Sequence, residues 1–340
     1  MRAQQFTLKN RPKGILSSED LNLVTTDLPT VEPGSIKVRT LLWGVDPGLR
    51  MRLSGETSYA AALPIGGVIS GFTVGEVVEE NDTPFSVGDI VTGAWGWCDF
   101  AVVQAAQIRP APERGGLPLS SLLGTMGVPG VTSYFGLLEV GDLKAGENVL
   151  VTSAAGGVGS ITSQIGKIKG ARVIGLAGGT DKCNWLTQSL GLDGAIDYKS
   201  DVDLDTQLTE QFPDGIDVVF ENIGNRMVDL VLPHMREKGR IVICGQTEDY
   251  NTAPEERYGI KNTSLMIGKR LRMEGFVALD YADRYEQARA PIRQWSKEGR
   301  LLTKENITIG FKNLPDAFAS LFTGSELGRR LVAADESCTR

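Results

Sequence analysis

Residues 148–160, NVLVTSAAGGVGS, carry the spacing in this 340-residue chain best suited to chemistry. Asn148 to Val151 reads as a buried strand that turns abruptly into a glycine-rich segment, and Gln164 to Lys169 carries the helical run after it. Ala154, Gly156 and Gly159 fall on the G-x-G-x-x-G spacing, with alanine in the first glycine's place and Gly157 and Val158 completing the turn. Such a turn brings the backbone close to a pyrophosphate, packs helix on strand, and leaves the anion at a helix N-terminus. Glycine-rich turns of this kind also occur for packing alone, so the motif has to be read together with the next strand and its tip.

That second strand, Arg172 to Ala177, should end where an NAD-selective site places an Asp or Glu, roughly 20 residues past the motif. Here the chain reads Gly178-Gly179-Thr180-Asp181-Lys182. No carboxylate at the glycine tip repels a 2′-phosphate, and Lys182 can supply it with a positive charge. Asp181 can face away as an N-terminal helix residue, where a carboxylate is favourable. NADPH is therefore expected over NADH.

The elements that must position these residues alternate as strand and helix through the middle of the chain, the pattern of a doubly wound parallel sheet. Strands are expected at 148–152, 172–177, 194–196, 217–221, 240–244 and 272–276, with helices starting near Gly157, Asp181, Asp203, Arg226 and Glu256. This Rossmann unit is placed at 127–300. Residues 1–126 read as β-rich, with strands such as 35–42, 74–79 and 89–92 between Gly/Pro turns. The tail, 301–340, reads as strand, loop and a final strand at 330–333 that returns to the N-terminal domain, leaving a cleft between the two units. The fold class is α/β.

Composition narrows the function classes. A formal charge of −7 gives no basic footprint, so nucleic acid is not an expected partner. No apolar run approaches the ~20 residues that cross a bilayer. The first ten residues lack a signal-peptide core, so the cytoplasm is the expected location. One histidine, His234, and four scattered cysteines cannot build a zinc site of three or four N/S ligands, so no metal is expected. His234 is expected on the surface at a helix end.

The segments NRPKG, VDPGLRMR, TMGVPGVTSYFGLLEVG, VTSAAGGVGS, GLAGGTDKCNWL, GAIDYKS, FENIG and ICGQTEDYN together resemble the zinc-independent leukotriene B4 dehydrogenase/prostaglandin reductase branch of the medium-chain dehydrogenase/reductase superfamily. The branch includes NADPH-dependent alkenal double-bond reductases and curcumin reductases. The resemblance covers nearly the whole chain. It implies a GroES-like β-rich catalytic domain beside the Rossmann domain, NADPH-dependent reduction of an activated carbon–carbon double bond, and a homodimer. It also implies that Lys182 and Tyr198 hold the 2′-phosphate and that Gly156, Gly157 and Val158 form the pyrophosphate turn. Asn222 and Cys244-Gly245-Gln246 would wall the nicotinamide ribose, Phe276 and Val277 would lie beside the nicotinamide, and Tyr250 and Asn251 would sit on a loop over the active site. Two departures stand out: Gly48 replaces a pocket-lining tyrosine of the family, and Glu326 falls where many members carry a cofactor-contacting asparagine.

Reducing an α,β-unsaturated carbonyl requires a hydride at the β-carbon, a hydrogen-bond donor at the carbonyl oxygen, and a proton for the α-carbon. With no metal expected, the donor is a hydroxyl, an amide or the nicotinamide ribose. Tyr250 is the first candidate and Tyr59 the second. The expected substrates are small enones, enals or quinones. The rival readings are a quinone reductase, an allylic or secondary alcohol dehydrogenase, and a non-catalytic NADPH-binding protein.

Overall fold

The computed structural model describes residues 1–56, 60–324 and 327–339. Tyr59 and Glu326 therefore lie outside the described residues. The chain divides into two compact units, one of residues 1–123, 305–326 and 330–340, the other of residues 124–304 and 327–329.

The second unit contains six parallel strands: β1 (Asn148–Val151), β2 (Arg172–Ala177), β3 (Gly194–Asp197), β4 (Ile216–Glu221), β5 (Met235–Ile243) and β6 (Arg272–Gly275). Their order across the sheet is β3-β2-β1-β4-β5-β6, so the chain reverses direction between β1 and β4. Ligands of open α/β sheets bind in the crevice beyond the carboxyl ends of the strands at such a reversal. The central strands β1, β2 and β4 are apolar on both faces, as strands covered by helices on both sides must be: Val149, Leu150, Ile174, Leu176, Val218, Val219 and Phe220 have essentially no exposure.

Around the sheet lie α1 (Val128–Phe135), α2 (Gly157–Ile168), α3 (Thr180–Asn184), α4 (Leu204–Gln211), α5 (Asn225–Val231), α6 (Ser264–Lys269) and α7 (Tyr285–Lys297). α4 starts where the Asp203 carboxylate accepts from the Thr206 amide at 3.1 Å, an N-cap.

Three sequence expectations fail here. The helix expected near Glu256 is only a short 3-10 turn, Pro254–Glu256, and the regular helix begins at Ser264. The amides of Lys261 and Asn262, which a helix would use internally, donate instead to the Asp229 carboxylate. His234 ends a helical turn as expected, but its side chain is only 11% exposed and its Nε2 lies 2.8 Å from Asp205 Oδ1. The tail contains a helix, Leu314–Ser320, whose buried Leu314, Ala317 and Phe318 follow helical spacing.

In the first unit, strands Arg2–Leu8 and Leu21–Asp27 form an antiparallel ribbon. Among the described residues a second sheet of seven strands centres on Ser35–Gly44, which pairs with Thr73–Asn81, Phe100–Gln104 and the last strand, Arg329–Ala333. Its core includes Trp43, Leu53, Ile69, Trp97 and Phe318. Arg50 is buried in this unit and fastens the NRPKG segment, donating to the carbonyls of Gly14 at 2.9 Å and Pro12 at 2.8 Å.

Candidate active site

The turn after β1 is fixed by backbone atoms. Ser153 takes a left-handed conformation (φ 50°), and Gly156 caps α2 in an extended one. A Cβ on Gly159 would lie 2.3 Å from the Ser153 carbonyl oxygen, so only glycine lets α2 pack this close to the turn. Alanine at 154 is accommodated because its methyl faces Gly175 of β2, where a second Cβ would come within 2.8 Å. On the far side the Gly328 amide donates to the Ala155 carbonyl at 2.8 Å, and Gly156 and Gly328 form a parallel bridge. Ser133 and Thr162 hydroxyls donate to the Val158 carbonyl, each at 3.0 Å. The first amides of a helix have no intrahelical acceptor, so this rigid turn presents donors suited to a diphosphate.

Gly178 at the tip of β2 is a second position that excludes a side chain. A Cβ there would meet the Tyr198 ring, 2.5 Å from Cζ and 2.6 Å from the hydroxyl. The loop behind it is organised by Asp197, whose Oδ1 accepts from the Gly179 amide at 2.7 Å and the Lys199 amide at 2.9 Å. Asp181 is exposed on α3, whereas Lys182 is half-buried. The Tyr198 ring, 46% exposed, carries the Lys199 ammonium 5.9 Å from its centroid. Glycine, tyrosine and two lysines around one strand tip fit a phosphorylated ribose.

The strand ends on the other side of the reversal are cross-tied. Asn222 donates through its side chain to the Thr152 carbonyl at 2.7 Å, and its amide donates to the Thr152 hydroxyl at 2.8 Å. Cys244 and Gly245 amides both donate to the Glu221 carbonyl, at 2.9 and 3.2 Å. The Tyr250 hydroxyl accepts from the Gln246 amide at 3.3 Å and lies 3.6 Å from where a Gly245 Cβ would be. Asn222, Gly245, Gln246 and Tyr250 are thus one cluster at the carboxyl ends of β4 and β5. Desolvation, with Glu221 second, pushes the Cys244 thiol up to about 12, so it stays protonated at neutral pH. Phe276 follows β6 with its ring 6.4 Å from Phe220, edge to face. A Cβ on Gly136 would strike that ring at 2.4 Å, so the Phe276 side chain is engaged in packing.

Glu221 was not among the residues expected at the site. Its Oε1 accepts from the Ile223 and Gly224 amides at 2.5 and 2.8 Å, and Oε2 is buried near the Thr152 hydroxyl without a well-formed hydrogen bond. Burial pushes the carboxyl up to about 7, against the opposing pull of those amides and the hydroxyl. The residue stands in the FENIG segment, but nothing in the sequence distinguishes a fully buried carboxyl from a solvated one. Among the described residues no three His, Cys, Asp or Glu side chains group as metal ligands.

Residues 4–111 match the family described as the N-terminal domain of oxidoreductase, and residues 157–292 the family described as zinc-binding dehydrogenase. The chain is 38% identical to the NADPH-dependent curcumin reductase of Escherichia coli, over 97% of this chain and 96% of that protein. It is 36% identical to the NADP(+)-dependent 2-alkenal reductase of Nicotiana tabacum, over 97% of this chain and 96% of the relative. The crystal structure of CurA in complex with NADPH from Vibrio vulnificus superposes with a TM-score of 0.91 at 36% identity, covering 98% of this chain and 99% of that one. The double glycine constraint at 159 and 178 and the likeness over the full length converge: the chain belongs to the leukotriene B4 dehydrogenase/prostaglandin reductase branch of the medium-chain dehydrogenases/reductases.

Proposed function

We propose that this protein is an NADPH-dependent reductase of the activated C=C bond of α,β-unsaturated aldehydes and ketones. The observation that carries the reading is the strand tip at Gly178: the tip residues themselves carry no carboxylate, the nearby Asp197 is engaged by the Gly179 and Lys199 amides, and Tyr198 and Lys182 flank the tip. The likeness to double-bond reductases over the whole chain supplies the substrate class.

The Gly156–Gly159 turn holds the diphosphate of the cofactor, and Lys182 with Tyr198 holds its 2′-phosphate. Asn222, Cys244 and Gly245 line the ribose, their backbones locked by hydrogen bonds to Thr152 and Glu221. Phe276, its ring engaged in the core, contributes backbone there, beside Val277. NADPH supplies the hydride that reaches the substrate β-carbon. The Tyr250 hydroxyl, already oriented by the Gln246 amide, turns its proton toward the substrate carbonyl and stabilises the charge that develops on that oxygen. The α-carbon then takes a proton from solvent or from a hydroxyl, completing the addition of one hydride and one proton. Asn251 shares the Tyr250 loop. Tyr59, outside the described residues, is the alternative hydroxyl that the sequence offers.

A homodimer and a cytoplasmic location belong to the same proposal. β6 forms the edge of the parallel sheet, and Ile267 on the neighbouring α6 is 81% exposed. The four cysteines are free thiols, which suits a reducing compartment, and no described helix is long and apolar enough to cross a membrane. The test is NADPH consumption with a panel of 2-alkenals, enones, quinones and, in reverse, allylic alcohols. Turnover of enals and enones with loss of the double bond is expected. Turnover confined to quinones or alcohols, or tight NADPH binding without turnover, overturns the reading.

A further inference from the structure

The loop that carries Tyr250 leaves β5 at Cys244 and re-enters regular structure at Ser264. Both of its legs are tied to one helix, α5. On the outgoing leg, Gln246 donates through its side chain to Asn225 Oδ1 at 3.1 Å, and Arg226 donates to Glu248 Oε1 at 3.0 Å. On the return leg, Asn225 Nδ2 donates to the Tyr258 carbonyl at 3.0 Å, so one amide side chain joins the two legs. The Tyr258 hydroxyl donates to Asp229 Oδ2 at 2.7 Å, and the Lys261 and Asn262 amides donate to Asp229 Oδ1 at 3.1 and 2.8 Å. The Arg226 guanidinium and the Lys261 ammonium lie 4.7 and 4.8 Å from the Tyr258 ring centroid.

Asp229 is the key member. It is buried, at 6% exposure. A buried carboxylate is tolerated only when its oxygens are satisfied, and all three of its donors come from the return leg of the loop. Burial alone would raise its pKa, yet the Tyr258 hydroxyl and the two amides hold it below the usual carboxylate range, so it is ionised whenever the loop is in place. Asn225 and Asp229 stand four residues apart and share a helix face.

We propose that Asn225, Asp229 and Tyr258 form a brace that positions the Tyr250 loop, making them positioning residues that act on the reduction through that loop. The brace fixes the approach of the Tyr250 hydroxyl to Gly245 and Gln246. This rests on the reading of Tyr250 as the hydrogen-bond donor to substrate.

The test uses Tyr258→Phe and Asp229→Asn in the full chain, each also combined with Tyr250→Phe. Tyr258→Phe keeps the ring between its two cations and leaves Asp229 its two amides, so it remains informative if Asp229→Asn fails to fold. Removing one hydrogen bond to a charged group predicts a kcat loss of about tenfold with an enal, while the NADPH dissociation constant, read by fluorescence titration, stays near the wild-type value. In the Tyr250→Phe background the same change should bring no further loss of kcat. Trypsin, which can cut after Arg257 and Lys261, should nick the braced segment faster in both single variants. Wild-type kcat and trypsin resistance in Tyr258→Phe would overturn the proposal, as would an equal kcat loss in the two backgrounds. If Tyr250→Phe alone leaves kcat unchanged, the donor assignment fails, and the trypsin rates still decide whether the brace holds the loop.

Discussion

The turn at 153–159 and the loop at 244–263, which the proposed function assigns to the two ends of one cofactor site, are held in different ways. The turn is set by backbone in contact with backbone: Ser153, Ala154 and Gly159 leave no room for another carbon. The loop is set by side chains reaching across from α5, with Asn225, Arg226 and Asp229 each taking hold of a different point. A backbone-packed turn has no flexible side chain to give way, so an added carbon must displace backbone. A side-chain-braced loop can be loosened by degrees, and that loosening appears in turnover before it appears in stability.

The sharpest way to break this contrast is Gly159→Ala. Its new methyl would meet a carbonyl that cannot move without unwinding the start of α2. Overpacking of this kind costs about 1–3 kcal/mol, so a lower melting temperature and at least tenfold weaker NADPH binding are expected. Wild-type binding in that variant would show that the turn has slack. On the loop side, Tyr250→Phe should lower kcat on the order of 10²-fold, the typical effect of losing one donor to a developing oxyanion, while the fold stays intact. An unchanged kcat/KM would move the donor role to the ribose hydroxyl or to Tyr59.

Lys182→Ala tests the adenosine side. Losing a charge partner of the 2′-phosphate removes about 1.5–3 kcal/mol, which should weaken NADPH roughly tenfold to a hundredfold and leave NADH nearly unaffected. Equal weakening of both cofactors would remove Lys182 from the phosphate site.

The smallest effect concerns Glu221. Its folded-state pKa of about 7 stands above its ordinary value of 4.5, so the native protein binds the extra proton and stability falls as pH rises from roughly 4.5 through 7. Glu221→Gln keeps an acceptor for the Ile223 and Gly224 amides and removes the charge. Its melting temperature should decline less than that of the wild type over this interval, and parallel melting curves would contradict the assigned burial.

Legibility in the sequence divides along the same line. The glycine spacing at 154–159 and the glycine tip at 178 are short-range signals; five of the six strands of the parallel sheet lie within a residue of their expected bounds, and β5, expected from 240, begins at Met235, in a polar stretch that gives no apolar run to read. The 244–263 loop was legible only through family resemblance at Tyr250 and Asn251. Asp229 and Tyr258 are 29 residues apart, and an aspartate in a short helix carries no mark that it is buried against a loop. The same capture explains why the helix expected near Glu256 is missing, since the amides it needed are spent on Asp229. Thr152 and Glu221 escaped notice because their roles depend on β1 and β4 becoming neighbours, which sequence adjacency cannot reveal.

The most direct test of the central claim tracks the hydride itself. The enzyme would be supplied with NADPH deuterated at both C4 positions and a 2-alkenal or enone, and the product analysed by NMR. The account predicts a saturated carbonyl compound bearing one deuterium at the β-carbon for each NADPH oxidised. Deuterium on the carbonyl carbon of an allylic alcohol, with the double bond intact, would contradict it.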